Sequence, residues 1–165
     1  PWYLTTLKLG GQIGFKMDAY ICDAIRTPIG RYGGALSSLR PDDLAAHVIK
    51  ALIERQPNID PTAIDEVVFG AANQAGEDNR DIARMSSLLA GFPVEVPGVI
   101  VNRNCASALE AINQAARAII AEESDVFIGS GVVCMNRAPW TMGKASSHTT
   151  TWPPLNVGHY SWLAI

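Results

Sequence analysis

A cysteine at the start of a predicted helix is the first candidate for chemistry in this sequence. Cys105 follows an apolar run at residues 99–101 and a polar turn at residues 102–104, and an amphipathic run reaches to residue 120. Unsatisfied N–H groups and the positive dipole end of a helix favour the thiolate, which is the nucleophilic form of cysteine. The same N–H groups can stabilise an oxyanion formed when sulfur attacks a carbonyl. Cys105 is therefore the candidate catalytic nucleophile, and the alternative is a small buried apolar side chain.

Predicted strands and helices alternate along the chain around this turn. Apolar runs at residues 19–24, 66–72, 99–101 and 125–135 predict four strands. Three helices are predicted. The first begins at Pro41, the second follows a cap at Asn79 and ends at Gly91, and the third extends from Cys105 to Glu122. This alternation predicts an α/β fold with a parallel sheet and right-handed crossovers. Ligands of such sheets bind beyond the carboxyl ends of the strands, where Cys105 falls.

Each predicted helix has an apolar stripe that should face the core. The spacing of three and four residues between apolar side chains is the basis for this expectation. The predicted inward residues are, in chain order, Leu44, Val48, Ala51 and Leu52, then Ile82, Met85, Leu88 and Leu89, and then Leu109, Ile112, Ala116, Ile119 and Ile120.

Composition excludes several classes of function. The chain has 165 residues and a net charge of −3 without a basic cluster, so it does not indicate a nucleic-acid partner. No apolar run is long enough to cross a bilayer, so no membrane partner is expected. The three cysteines, Cys22, Cys105 and Cys134, lack metal-type spacing. We expect free thiols in a reducing cytoplasm, and no metal site.

The two ends of the chain differ from the patterned middle. Residues 1–16 are expected to be a leader outside the fold, with Met17 as the natural start, although β-favouring residues at 2–7 leave open a short extra strand. Residues 17–145 form the predicted domain. Residues 146–165 have no amphipathic period and are expected to form an irregular tail.

Five short motifs lie along the patterned part of the chain: DAIRTPIG at 23–30, ANQAGEDN at 72–79, NRNCAS at 102–107, GSGV at 129–132 and MNRAP at 135–139. Together they resemble the thiolase family, specifically its amino-terminal half. The resemblance extends from Met17 to about Ala145 and is closest to degradative thiolases, including those that cleave β-ketoadipyl-CoA.

The resemblance implies a fold and a reaction. It implies a thiolase-like amino-terminal domain, with a mostly parallel sheet covered by helices on both faces and truncated before the second half. By resemblance, Cys105 takes an acyl group from a 3-ketoacyl-CoA as a thioester and passes it to CoA, and its backbone N–H contributes to an oxyanion hole. No metal or redox cofactor is implied, CoA thioesters are the substrates, and a homo-oligomer is expected. The biological setting would be fatty acid or aromatic degradation.

A complete family member also has a second half, which supplies an activating histidine, an asparagine-held water and a second cysteine. Here the tail contains only His148 and His159, and nothing in the sequence positions either one at the thiol. Ala106 and Ala108 stand where the family usually has glycine, and Asn104 where it usually has an apolar residue. The alternatives are a catalytically inactive fragment that at most binds a full-length subunit, or a ketoacyl synthase of the same fold.

Overall fold

Four strands form one sheet in the computed structural model, which describes residues 4–5, 18–73 and 80–138. They are β1 (Leu4–Thr5), β2 (Glu66–Gly70), β3 (Gly98–Val101) and β4 (Phe127–Gly131), in the sheet order β1-β4-β2-β3. Strand β2 is parallel to β3 on one side and to β4 on the other, whereas β1 pairs antiparallel with β4 at the edge. The three parallel strands confirm the predictions for 66–72, 99–101 and 125–135. Strand β1 lies within 2–7, where the sequence left open a short extra strand.

Helices cover both faces of this sheet, as the thiolase resemblance implied. They are α1 (Pro41–Glu54), α2 (Ile82–Leu89) and α3 (Ser107–Ile120), with a short 3₁₀ turn at Pro61–Ala63. Val67 and Phe69 of β2 pack in one core with α1 and α2, while Val68 packs on the opposite face with α3. The alternation follows from the two-residue period of a strand. Among the described residues, no helix is long and apolar enough to span a membrane.

The helix boundaries were predicted well at some ends and wrongly at others. Helix α1 begins at Pro41 as predicted, because proline at the first position loses no helical hydrogen bond. The predicted cap at Asn79 is wrong: α2 is capped by Asp81, whose carboxylate accepts a 3.1 Å hydrogen bond from the Arg84 N–H. Gly91, at φ +87°, follows the helix as expected for a left-handed terminating residue.

The predicted apolar stripes of α2 and α3 are partly wrong. Ile82, Ile112 and Ile119 are buried as expected, but four predicted inward side chains are exposed: Leu88, Leu89, Leu109 and Ile120. Small residues occupy buried positions of these helices instead, namely Ala83, Ser86, Ser87, Ser107, Ala111 and Ala115. Helix α3 approaches strand β4 closely. A Cβ atom added to Gly129 would lie 3.1 Å from the Ile112 Cα.

The strand predicted at residues 19–24 is wrong. Residues 18–31 form no strand, and Tyr20 and Ile21 are exposed. The segment is attached to the end of α1 instead. The Asp23 carboxylate accepts hydrogen bonds of 2.9 Å from both Arg55 and Gln56. Apolar composition alone predicted a strand here, but polar contacts with α1 decide where the segment lies.

Acid should release this attachment. The hydrogen bond from Gln56, with help from the Ala24 N–H and the Arg55 charge, outweighs desolvation and lowers the pKa of Asp23. A lowered pKa in the folded state gives stability that is present above the unfolded pKa and is lost as the pH falls through the folded pKa. We expect Asp23→Asn to lower the free energy of unfolding by about 1 kcal/mol near neutral pH, and by less near about pH 3. Urea denaturation at both pH values tests this, with the exposed Asp18→Asn as control; an equal loss at both pH values would contradict it.

Candidate active site

Cys105 lies in a tight turn between β3 and α3, at the carboxyl end of the strand. The helix begins at Ser107, not at Cys105 as predicted, so the cysteine precedes the helix by two residues. The physical reason lies one residue earlier. Asn104 has φ +52°, a left-handed conformation that cannot belong to an α-helix. Asparagine adopts this conformation more readily than most residues, so Asn104 is well suited to this position in the turn.

The Ser107 hydroxyl makes two hydrogen bonds to the backbone of this turn. Ser107 is buried, and its Oγ accepts a 2.8 Å hydrogen bond from the Arg103 N–H. The same hydroxyl donates a 2.6 Å hydrogen bond to the Asn104 carbonyl oxygen. One side chain therefore holds the peptide group before Arg103 and the peptide group before Cys105.

Asn102 ties the turn to the neighbouring strand. Its Oδ1 accepts a 2.9 Å hydrogen bond from the Asn104 N–H, and its Nδ2 donates a 3.2 Å hydrogen bond to the Ala72 carbonyl oxygen. Ala72 lies just beyond the carboxyl end of β2. The side chain therefore fixes the turn that carries Cys105 relative to the sheet.

Two strand glycines allow the start of α3 to rest directly on the sheet. A Cβ atom at Gly70 would overlap the backbone of Ser107 and Ala108, and one at Gly131 would overlap the Ala108 side chain. Glycine inside a strand commonly marks such an approach of another backbone. Ala108, which departs from the glycine usual in the thiolase resemblance, therefore fills the space above Gly131.

The thiol and the helix end are available for chemistry. Cys105 is an exposed free thiol. Hydrogen bonds within the turn use the N–H groups of residues 103, 104, 106 and 107. Ala106 caps α3 without a side-chain hydrogen bond, so no side chain competes there for the first helical N–H groups. This arrangement can present a nucleophile beside donors for an oxyanion.

A charged cluster lies along α3 next to the turn. Glu110 accepts hydrogen bonds from Arg103 and from Arg117, one at each carboxylate oxygen. The hydrogen bond from Arg117 and the charges of both arginines outweigh desolvation and lower the pKa of Glu110. The carboxylate therefore stays ionised across the physiological range.

The described residues bring no histidine to the thiol. His47 is the only histidine among residues 4–5, 18–73 and 80–138, and it is exposed on α1, across the sheet from α3. His148, His159 and the predicted polar loop 74–79 lie outside the described residues. Within the same described ranges, no group of three histidine, cysteine or acidic side chains could hold a metal ion.

All three cysteines are free thiols, which allows a direct comparison of reactivity. Cys22 is exposed like Cys105, and Cys134 is partly buried, with its Sγ 3.8 Å from the Leu39 carbonyl oxygen. Because only Cys105 lies in a turn that leads directly into a helix, we expect iodoacetamide to label it about ten-fold faster than the other two. Peptide mapping after timed labelling measures the three rates. Equal rates at Cys105 and Cys22 in the folded protein would contradict a formed site.

The sequence singled out Cys105 as a candidate but did not predict which residues hold the turn around it. Ser107 was recognised within a motif, yet no structural role was predicted for it. Gly70 had a usable signal, because a glycine inside an apolar strand often marks close backbone approach. The link from Arg103 to Glu110 had no comparable signal, since the two residues lie seven apart and only one is in the helix.

The chain is similar in sequence to proteins of known family. Residues 19–155 match the family model described as the amino-terminal domain of thiolase. The chain is 59% identical over 130 residues to a β-ketoadipyl-CoA thiolase of Pseudomonas aeruginosa, and 58% identical to a 3-oxoadipyl-CoA/3-oxo-5,6-dehydrosuberyl-CoA thiolase of Escherichia coli. Both matches cover 79% of this chain and 32% of the relative. The chain thus spans about a third of the length of these curated relatives.

A solved structure shows the same fold. The crystal structure of the Bacillus anthracis acetyl-CoA acetyltransferase matches with a TM-score of 0.73 and 27% sequence identity. The match covers 97% of this chain and 36% of that protein.

Proposed function

Because the chain belongs to the thiolase family, whose amino-terminal domain it matches, we propose that it forms the nucleophile-bearing part of a thiolase-type acyltransferase. The observation that carries the proposal is the exposed Cys105 thiol, in a turn fixed by Ser107 and Asn102 at the start of α3. The relatives are named as enzymes of acyl-CoA thioesters, which supports a 3-ketoacyl-CoA or acetyl-CoA as substrate.

The half-reaction with acetyl-CoA can be written for the residues of this chain. The Cys105 thiolate attacks the thioester carbonyl, and the oxyanion is stabilised by N–H groups at the helix start. The bond between carbonyl carbon and CoA sulfur then breaks, CoA leaves as a thiolate, and an acetyl thioester remains on Cys105. A second CoA thiolate reverses these steps. Neither direction requires a metal or a redox cofactor, so we propose that CoA and its thioesters are the only small molecules involved.

The pattern of identities supports a narrower substrate class. Relatives named for β-ketoadipyl-CoA or 3-oxoadipyl-CoA are 58–59% identical to the chain, whereas a 3-ketoacyl-CoA thiolase of Aeromonas hydrophila is 43% identical. We therefore propose a 3-ketoacyl-CoA with a carboxylate at the far end of the acyl chain. The corresponding setting is degradation of aromatic compounds in the cytoplasm, by a homo-oligomer.

The alternative function is an inactive domain that binds a full-length subunit. The observation in its favour is that the described residues bring no histidine to Cys105. An inactive domain would retain the fold and the exposed thiol but would not exchange acyl groups.

Release of CoA from acetyl-CoA distinguishes the two functions. We expect the purified chain to release up to one equivalent of free CoA per chain, measured by chromatography, with the same yield when a metal chelator is present. Cys22→Ala should release the same amount, and Cys105→Ala should release none. A chain that is folded by circular dichroism but releases no CoA would support the inactive domain and overturn the acyltransferase.

A further inference from the structure

The ion pairs of α3 are arranged around one covered carboxylate. Arg103 and Arg117 each lie seven residues from Glu110, on opposite sides of it in sequence. Their side chains are 67% and 60% exposed, whereas the Glu110 side chain is only 13% exposed. Glu110 is therefore the fixed centre of the cluster, and the two guanidinium groups extend to it from the surface.

Arg103 is bound to α3 at both of its ends. Its backbone N–H donates to the Ser107 hydroxyl, and its guanidinium pairs with Glu110. Arg103 lies two residues before Cys105, and arginine is a long, flexible cation. Without its partner, the guanidinium could approach the Cys105 thiolate, because opposite charges attract strongly at short range.

We propose that Glu110 is a positioning residue that holds the Arg103 guanidinium along α3 and away from the Cys105 thiol. This role rests on the proposed function of Cys105 as the nucleophile. The consequence is electrostatic, because a guanidinium beside the sulfur would add a positive charge at the thiol and attract anions to it. Arg117 assists by binding the second carboxylate oxygen, which orients Glu110 and keeps it ionised.

The charge near the thiol can be measured without acyl transfer. Iodoacetate is an anion and iodoacetamide is neutral, so the ratio of their rates at Cys105 reports the local potential. In Glu110→Gln the released Arg103 should attract the anion, and we expect the ratio to rise about two- to five-fold, the effect of one exposed ion pair. A general loosening of the turn would change both rates together and leave the ratio unchanged.

A second substitution tests whether the effect passes through Arg103. In the double variant Arg103→Gln/Glu110→Gln the ratio should return to the wild-type value or fall below it. Glu123→Gln makes the same change in charge at an exposed position near the other end of α3, and it should leave the ratio unchanged.

Two results would overturn the proposal. One is an unchanged ratio in Glu110→Gln. The other is a ratio that stays raised in the double variant, since the charge of Glu110 itself would then act directly on the thiol. If the ratios follow the prediction but the chain releases no CoA from acetyl-CoA, the positioning role stands and the proposed acyltransferase does not.

Discussion

Gly70→Ala should unfold or strongly destabilise the chain and remove the selective reactivity of Cys105. The added methyl group would overlap the backbone at Ser107 and Ala108, and backbone atoms cannot rotate out of the way. The start of α3 must therefore move off the sheet. We expect a loss of about 3 kcal/mol or more in the free energy of unfolding, at the upper end for an overpacked core. Urea denaturation and the labelling rate of Cys105 measure the two effects.

Two further glycines provide controls for this prediction. Gly129→Ala would place its methyl group 3.1 Å from the Ile112 Cα, so we expect a smaller loss of about 1 kcal/mol. Gly33→Ala meets no atom within 4 Å but has φ +67°, so it tests backbone strain without a clash. If Gly70→Ala were as stable as the wild type, the inferred close contact between the start of α3 and β2 would be wrong.

Ser107→Ala is expected to have the second largest effect, and mainly on chemistry. The substitution removes both the acceptor for the Arg103 N–H and the donor to the Asn104 carbonyl oxygen. We expect a stability loss of about 1–2 kcal/mol, mainly from the Arg103 N–H, because the Asn104 carbonyl oxygen keeps its hydrogen bond from the Ser107 N–H. Because the turn before Cys105 is held by fewer hydrogen bonds, we expect acylation of Cys105 by acetyl-CoA to slow by about ten-fold.

A second buried serine supplies the matched control. The Ser87 hydroxyl donates a 2.7 Å hydrogen bond to the Ala83 carbonyl oxygen inside α2, away from the turn. Ser87→Ala removes a buried hydroxyl of the same kind and should leave acylation unchanged. Equal rates for the wild type and Ser107→Ala would show that the hydroxyl does not position the nucleophile.

Local signals in the sequence were sufficient for the framework around the candidate site. Pro41 marks the start of α1 and Gly91 the end of α2, because each has a backbone preference that acts without distant partners. The apolar runs that became β2 and β4 are largely buried, and the run that became β3, at the sheet edge, is partly buried. The place of Cys105 between β3 and α3 followed from the same reasoning.

Long-range contacts decided what the sequence did not predict. Residues 19–24 have the composition of a strand, but the bonds from Arg55 and Gln56 to Asp23 hold the segment against α1. Helix α3 turns small residues toward the sheet because Gly70 and Gly131 permit a close approach, which leaves Leu109 exposed. A helical period shows that a stripe exists, but it does not show which small residues the opposing strand can accommodate.

The site of acyl attachment is the most direct test of the central claim that Cys105 is the nucleophile. The purified chain is incubated with acetyl-CoA, and intact-mass and peptide analysis locate any acetyl group, with Cys105→Ala as control. We predict one acetyl group per chain, on Cys105, and none in the control. An acetyl group on Cys22 or Cys134 instead, or no acetyl group on a chain shown to be folded, would contradict the assignment of Cys105.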